Sequence, residues 1–279
     1  MNFPAKFAIC NELFEGWEFD RIIRFVKKTG YDGIELAPYT FADSVTDISL
    51  KRRQEIRKIA QDEGLTITGL HWLLVKPSGL HITHPDPVIR RKTVDYIRYL
   101  VDFCGDIGGS NLIFGSPKQR QILEGISHEN GREYLADGLL ECSVTAASRG
   151  VVICLEALPE SLTNFLNTNL EILKMVQIVN HPNIRMMLDV KSMFSEPLPV
   201  SENIVNCKGY IEHFHANDPN LRGPGFGEAD FTEIFKTLLQ IKYEKFISVE
   251  VFDFSPDPET IAVQSLLYMQ KCWEKAVFG

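Results

Sequence analysis

The chain has 279 residues, of which 44% are hydrophobic and 24% charged, and its formal net charge at pH 7 is −8. This composition is typical of a folded globular protein and excludes a disordered or collagen-like chain, while the length fits one α/β barrel or two smaller domains. The negative charge argues against nucleic acid as a partner, because phosphate binding usually needs an excess of basic residues.

Short apolar runs alternate along the chain with amphipathic segments of helical length, which is the pattern of a parallel sheet covered by helices. Eight predicted strands occupy residues 7–10, 33–36, 66–71, 111–115, 151–156, 185–189, 210–215 and 246–251. Predicted helices occupy residues 18–29, 50–63, 130–148, 169–179, 230–240 and 258–274, together with a segment that begins after Asp86.

The helix after Asp86 has the clearest signals. Aspartate is a favoured N-cap residue, and Pro87 suits the first helical position. Apolar residues then recur at helical spacing: Val94, Ile97, Val101 and Cys104. In contrast, residues 193–209 predict a short helix at best.

Eight strand–helix units in 279 residues predict an α/β fold, a (β/α)₈ TIM barrel that forms a single domain over residues 1–279. The alternative is a doubly wound open sheet with an additional domain. It is disfavoured because CNELFEGW, after the first strand, lacks the GxGxxG turn of dinucleotide-binding sheets.

The sequence also bears on the location of the protein. No apolar run approaches the roughly 18 residues of a membrane span, and the first residues lack the apolar core of a signal peptide. The six cysteines are far apart and mostly lie in apolar segments, which favours buried thiols over disulfides. We therefore expect a cytoplasmic protein with no membrane partner, and self-association into a homo-oligomer stays open.

Four of the predicted strands end on residue types that bind metals. Glu156 ends the fifth strand, Asp189 the sixth, His215 the seventh and Glu250 the eighth. In a barrel these ends converge on the carboxyl-terminal face, where barrel enzymes place their active sites. Three carboxylates and one imidazole predict a site for one divalent ion, with Mn²⁺ preferred and Mg²⁺, Co²⁺ or Zn²⁺ as alternatives.

The motifs KKTGYDGIEL, GLHWLL, FGSPKQR, HFHANDPN, GPGFGEADF and SVEVF extend over nearly the whole chain. With the ligand spacing, they make the sequence resemble the sugar phosphate isomerase/epimerase superfamily, which has a xylose isomerase-like TIM barrel. The ketose 3-epimerase and hydroxypyruvate isomerase-like branch is the most similar. The resemblance implies a metal-dependent isomerase or epimerase of carbohydrate metabolism, in which Glu156 and Glu250 exchange protons with a substrate that passes through a metal-stabilised enediolate. Asp189 and His215 would mainly hold the metal.

Two positions depart from the pattern of epimerases that act on free ketoses. Leu162 replaces a glutamate and Ser192 a histidine, both of which contact the carbonyl end of the sugar in that family. The family's arginine after the histidine ligand is present, one residue late, as Arg222. The substrate is therefore expected to be a small sugar, sugar phosphate or related ketone, and a phosphorylated or carboxylated ketose is favoured because its anionic group could meet Arg222, Lys118 or Arg120.

Other residues are also predicted to lie near the mouth of the barrel. His71 is predicted to contact substrate, Glu35 either faces the substrate or is a buried partner of a cation, and His213 is predicted to support a ligand. Ser116 and Gln119 lie on the same loop as Lys118. Three aromatic residues could line a sugar pocket or belong to the core: Trp17, Trp72 and Phe226.

Three competing functions remain open. An inosose dehydratase-like lyase would use the same barrel and a similar metal. The related apurinic endonuclease needs more histidine ligands and a basic face, and a sugar sensor without turnover would not need the four-ligand set. An epimerase or isomerase is therefore the leading interpretation.

Overall fold

Eight parallel strands close into a barrel in the computed structural model, which describes residues 6–279. Neighbours in the sheet are also neighbours in sequence, and β8 pairs with β1 to close it. The strands are β1 Lys6–Cys10, β2 Gly33–Leu36, β3 Thr66–Leu70, β4 Asn111–Phe114, β5 Val152–Leu155, β6 Ile184–Asp189, β7 Ile211–Ala216 and β8 Phe246–Val249. All eight predicted strands are present, so the predicted TIM barrel is confirmed and the open sheet is wrong.

Ten α-helices connect and cover the strands within residues 6–279. They are α1 Phe19–Thr29, α2 Leu50–Asp62, α3 Pro87–Ile107, α4 Pro117–Arg120, α5 His128–Arg149, α6 Asn169–Val179, α7 Val190–Met193, α8 Val200–Asn206, α9 Phe231–Gln240 and α10 Pro258–Phe278. The short helix expected within residues 193–209 is α8. No helix of this described part of the chain has the length and apolarity to cross a lipid bilayer.

Helix α3 begins at an N-cap aspartate and ends at a glycine. The Asp86 side chain accepts a hydrogen bond from the Val88 backbone N–H at 2.8 Å, so it caps the first turn. Gly108 ends the helix at φ 86°, in the left-handed region that glycine adopts without steric cost.

The apolar side chains form two layers, because alternate residues of a strand point to opposite faces. The large core lies between the barrel and its helices, and Phe114, Leu155 and Leu188 belong to it. A small cluster of Ile113, Cys154 and Met187 points inward. All six cysteines are buried and unpaired, which confirms the expectation of buried thiols.

Candidate metal centre and active site

The four predicted metal ligands converge at the carboxyl-terminal end of the barrel. Asp189 is the last residue of β6 and lies opposite His215 of β7 in the sheet register. Glu156 and Glu250 each follow the last residue of their strand, β5 and β8. One ligand-type atom from each residue lies within 4.8 Å of the others, and all four side chains are buried.

Hydrogen bonds fix the Asp189 carboxylate. Its Oδ1 accepts from the Ser192 backbone N–H at 2.7 Å, and its Oδ2 accepts from the Asn217 side-chain amide at 2.6 Å. Asn217 is fully buried and also accepts a 2.8 Å hydrogen bond from the Lys191 backbone N–H. This amide thus fixes both Asp189 and the start of α7. Only its place in HFHAND, just after a ligand, could have indicated it from the sequence.

The His215 ring lies between two carboxylates. Its Nδ1 lies 3.0 Å from Glu250 Oε2 and its Nε2 lies 3.1 Å from Glu35 Oε1. The other Glu35 oxygen lies 2.6 Å from His213 Nε2. Glu35 is fully buried and absent from the cavity lining, a placement that favours the buried partner of a cation over the substrate contact, which stays a prediction. His213 contacts Glu35 and also packs edge-on against the His215 ring, with the two ring centroids 5.3 Å apart.

His71 follows β3 and lines the cavity, as expected of a substrate contact. Its Nε2 lies 2.6 Å from Glu12 Oε2, and its Nδ1 lies 3.7 Å from Glu35. Burial opposes the charged form of this imidazole, but the carboxylates of Glu12, Glu35 and Glu250 outweigh burial and raise the pKa of His71 to about 9. Glu12 has no sequence signal beyond its place two residues after β1, and our sequence analysis missed it.

The charges of the four candidate ligands are unbalanced without a cation. Burial, together with Glu250 and Asp189, raises the pKa of Glu156 to about 8. Burial also favours neutral Glu250, but His215 outweighs it and lowers the pKa of Glu250. A divalent cation would balance these crowded carboxylates, and a histidine ligand commonly hydrogen-bonds to a carboxylate through its other ring nitrogen, as His215 does to Glu35. The residues therefore fit a divalent metal.

Gly115 makes room for Glu156. A Cβ atom built on Gly115 would lie 2.3 Å from Glu156 Oε2, well inside van der Waals contact. Because the residue directly follows β4, any side chain there would push the carboxylate away from its present position. Glycine thus leaves room for the Glu156 carboxylate in its present position.

A cavity opens directly beside Glu156 and Glu250. Its polar lining includes His71, Ser116 and Lys191. Its remaining lining is Trp72, Ile113, Gly115, Pro117, Leu158, Leu162 and Phe252. Trp72 is thus one of the predicted aromatic wall residues, whereas Lys191 and Phe252 were missed.

The three predicted anion-binding side chains do not line this cavity. Arg120 is fully buried, and its guanidinium donates to the backbone carbonyl of Glu156 at 2.6 Å. Arg222 donates through Nε to Asp253 at 2.9 Å, and Lys118 is exposed on α4. This cavity therefore gives no support to the expectation that they meet an anionic group of the substrate, which stays a prediction.

A larger groove of about 720 Å³ lies on the β1–β2 side of the same barrel end. Trp17, Tyr39 and Glu12 line it, and Glu12 connects it to the cavity through its hydrogen bond with His71. None of the four candidate metal ligands lines this groove. Of the remaining aromatic residues, Phe226 packs against the main core.

Comparison with known proteins identifies a family and several similar sugar epimerases. A family model described as the xylose isomerase-like TIM barrel matches residues 23–272. The chain is 28% identical over 245 residues to a D-psicose 3-epimerase of Ruminiclostridium cellulolyticum, with 85% of this chain and 80% of that protein covered. It is 26% identical over 228 residues to an L-ribulose 3-epimerase of Methylomonas sp., with 81% and 75% covered. A solved structure of an L-ribulose 3-epimerase superposes with a TM-score of 0.87 at 21% identity, over 98% of this chain and 96% of the other.

Proposed function

Because the chain belongs to the xylose isomerase-like TIM barrel family, we propose that it is a divalent-metal-dependent sugar epimerase or isomerase that acts through an enediolate. The observation that carries this function is the convergence of Glu156, Asp189, His215 and Glu250 within 4.8 Å. The two sequence relatives, named as epimerases of D-psicose and L-ribulose, support inversion at carbon 3 of a ketose as the reaction.

The two glutamates would carry the proton transfers. A divalent cation, when bound, supplies a Lewis acid that polarises the substrate carbonyl and stabilises the enediolate. Glu156 and Glu250 both line the cavity, from strands that are separated by β6 and β7. One carboxylate would remove the proton from the carbon beside the carbonyl, and the other would return a proton to the opposite face, which inverts that carbon.

The neighbouring residues would keep the reacting groups in place. Asp189 is held by Asn217 and the Ser192 backbone, so it is suited to binding the metal rather than to moving a proton. Glu35 would orient the His215 ring through its 3.1 Å contact with Nε2. His71 lines the cavity and would donate a hydrogen bond to a substrate oxygen.

Mn²⁺ is the proposed metal, because an oxygen-rich site with one imidazole suits a hard to borderline divalent ion. Mg²⁺, Co²⁺ and Zn²⁺ are the alternatives. The cytoplasmic location stays a prediction, and self-association into a homo-oligomer stays open.

The first test is metal content. We expect about one divalent ion per chain by elemental analysis after dialysis against Mn²⁺, and a sharp loss in a Glu156→Ala/Asp189→Ala double variant, since a site with two of four ligands is under-coordinated. Glu160→Ala is the matched control, because Glu160 is an exposed glutamate four residues from Glu156. Full occupancy of the double variant would refute the site.

The second test is the reaction itself. With a panel of ketoses and their phosphates in D₂O, an epimerase incorporates one deuteron at the inverted carbon without loss of mass, and NMR detects the epimer. Loss of water from the substrate would instead identify a lyase. If the Mn²⁺-loaded protein converts no member of the panel, the proposed function is wrong.

A further inference from the structure

Lys191 places an uncommitted cation in the cavity. Its ammonium lies 3.6 Å from the centroid of the Phe252 ring. Within residues 6–279, no carboxylate lies within 4.0 Å of its Nζ and no hydrogen bond involves that atom, although the residue lines the cavity beside Glu156 and Glu250. An ammonium has three N–H donors, and a ring face satisfies only its charge, so the donors remain available to a ligand.

The backbone holds Lys191 in the same frame as the metal ligands. Its N–H donates to Asn217 Oδ1 at 2.8 Å, and the same amide donates to Asp189 Oδ2. Lys191 also follows Asp189 by two residues in α7. The backbone of Lys191 is thus anchored to the same amide that holds the candidate ligand Asp189.

Ser116 offers a second free donor to the cavity. Its hydroxyl is buried and has no hydrogen-bond partner in the described chain. Its backbone has φ 44°, a left-handed conformation that is unusual for a residue with a side chain and that often marks functional sites. Ser116 follows β4 and Lys191 follows β6, so the two flank Glu156 of β5 in the barrel order.

We infer that Lys191, together with the Ser116 hydroxyl, binds an anionic group of the substrate, either a carboxylate or a phosphate. The inference deepens the proposed function and rests on it for the identity of the ligand as a ketose. Of the cationic residues considered for this role, Lys191 lines the cavity, whereas Arg120, Arg222 and Lys118 do not. The apolar remainder of the lining offers little to the hydroxyl-rich end of a neutral sugar.

The first experiment measures binding without turnover. Calorimetry on the Mn²⁺-loaded protein would compare an alditol, its phosphate and the corresponding aldonate, none of which has the ketone or aldehyde group that turnover requires. We expect the phosphate or the aldonate to bind at least about tenfold more tightly than the alditol, as charge-assisted hydrogen bonds predict. The better of the two identifies the anionic group.

Variants then assign the preference to Lys191. Lys191→Met should abolish the anion preference, and Lys191→Arg should retain most of it, whereas Lys118→Met is the control with an exposed lysine from the loop after β4. A wild-type protein that binds all three ligands equally, or a preference unchanged by Lys191→Met, would overturn the inference. If Lys191→Met does not fold, Lys191→Arg and Lys191→Gln are compared instead. An equal anion preference in these two variants would also overturn the inference.

Kinetics separate this inference from the proposed function. The ratio of kcat/KM for an anionic ketose to that for its neutral counterpart should fall at least about tenfold in Lys191→Met, equivalent to about 1.4 kcal/mol. If anionic alditols bind through Lys191 but no ketose is converted, the proposed reaction fails while the anion site stands. If neutral ketohexoses are converted efficiently and Lys191→Met loses none of this activity, the proposed reaction stands and the anion site is refuted.

Discussion

The metal-free protein should become less stable as the pH rises. In the metal-free protein, Glu156 has its pKa raised from 4.5 to about 8 by burial, Glu250 and Asp189. The folded state therefore holds this proton more tightly than the unfolded state does. The associated stability is fully present below pH 4.5 and is lost as the pH rises towards 8.

His71 acts in the same direction as Glu156, because its pKa is raised from 6.5 to about 9 and its favourable contribution is lost between those pH values. His81 acts in the opposite direction below about pH 6.5, because burial lowers its pKa to about 4, so the fall in stability should be steepest above that pH. Glu35 and Glu250 have lowered pKa values because nearby histidines outweigh the effect of burial. Their contributions change only below about pH 4.5 and lie outside the neutral range.

The size of the effect follows from the pKa of Glu156. At 1.36 kcal/mol per pKa unit, the stability lost through this carboxyl between pH 5.5 and 8 is about 3 kcal/mol at most. Water that enters the metal-free cavity reduces the penalty of ionisation and hence this value. Saturating metal should reverse the trend, since the ligands bind it deprotonated, and at 100 times its Kd it stabilises by about 2.7 kcal/mol.

Urea unfolding followed by circular dichroism would measure this effect. Titrations in EDTA from pH 5.5 to 8.5 should show a falling free energy of unfolding for the wild type and a flatter profile for Glu156→Gln, which cannot ionise. Glu160→Gln, at an exposed glutamate, should retain the wild-type slope. A metal-free wild type whose stability rises over this range, or a Glu156→Gln variant with an unchanged slope, would refute the reasoning.

Three further outcomes are expected. Glu156→Gln and Glu250→Gln retain an oxygen ligand but lose the base. Each should therefore lower kcat by about 10²–10⁴-fold in a ketose assay at full Mn²⁺ occupancy. A near-normal kcat would show that the substituted residue does not transfer the proton. Glu35→Gln should weaken Mn²⁺ binding about 10–100-fold by calorimetry, because His215 loses its anionic partner, and unchanged affinity would exclude that role. Gly115→Ala should fold normally but lower kcat by about 10²-fold through displacement of the Glu156 carboxylate, and a wild-type rate would show that the carboxylate tolerates the shift.

The sequence predicted the barrel and the convergence of its ligands for a single reason. A strand end in a parallel barrel has a known location, so Glu156 and Asp189 could be brought together without a structure. Lys191 had no such marker, because it lies two residues beyond a strand, in a four-residue helix whose direction depends on the Asn217 hydrogen bonds. The burial of Arg120 was not predicted because its loop has the composition of an exposed segment, and only tertiary packing shows that it donates to backbone carbonyls.

The interior ion contacts join the two halves of the barrel. Glu35 and His71, in and after β2 and β3, face His215 and Glu250, in and after β7 and β8, whereas the four proposed metal ligands all come from the β5 to β8 half. The second half alone would thus contain every donor but would lack the carboxylate that orients His215. The affinity for metal should therefore depend on whether the two halves are docked. Separately expressed fragments that reassemble correctly should recover tight Mn²⁺ binding as β1 closes against β8. This recovery would give a spectroscopic signal for barrel closure during folding.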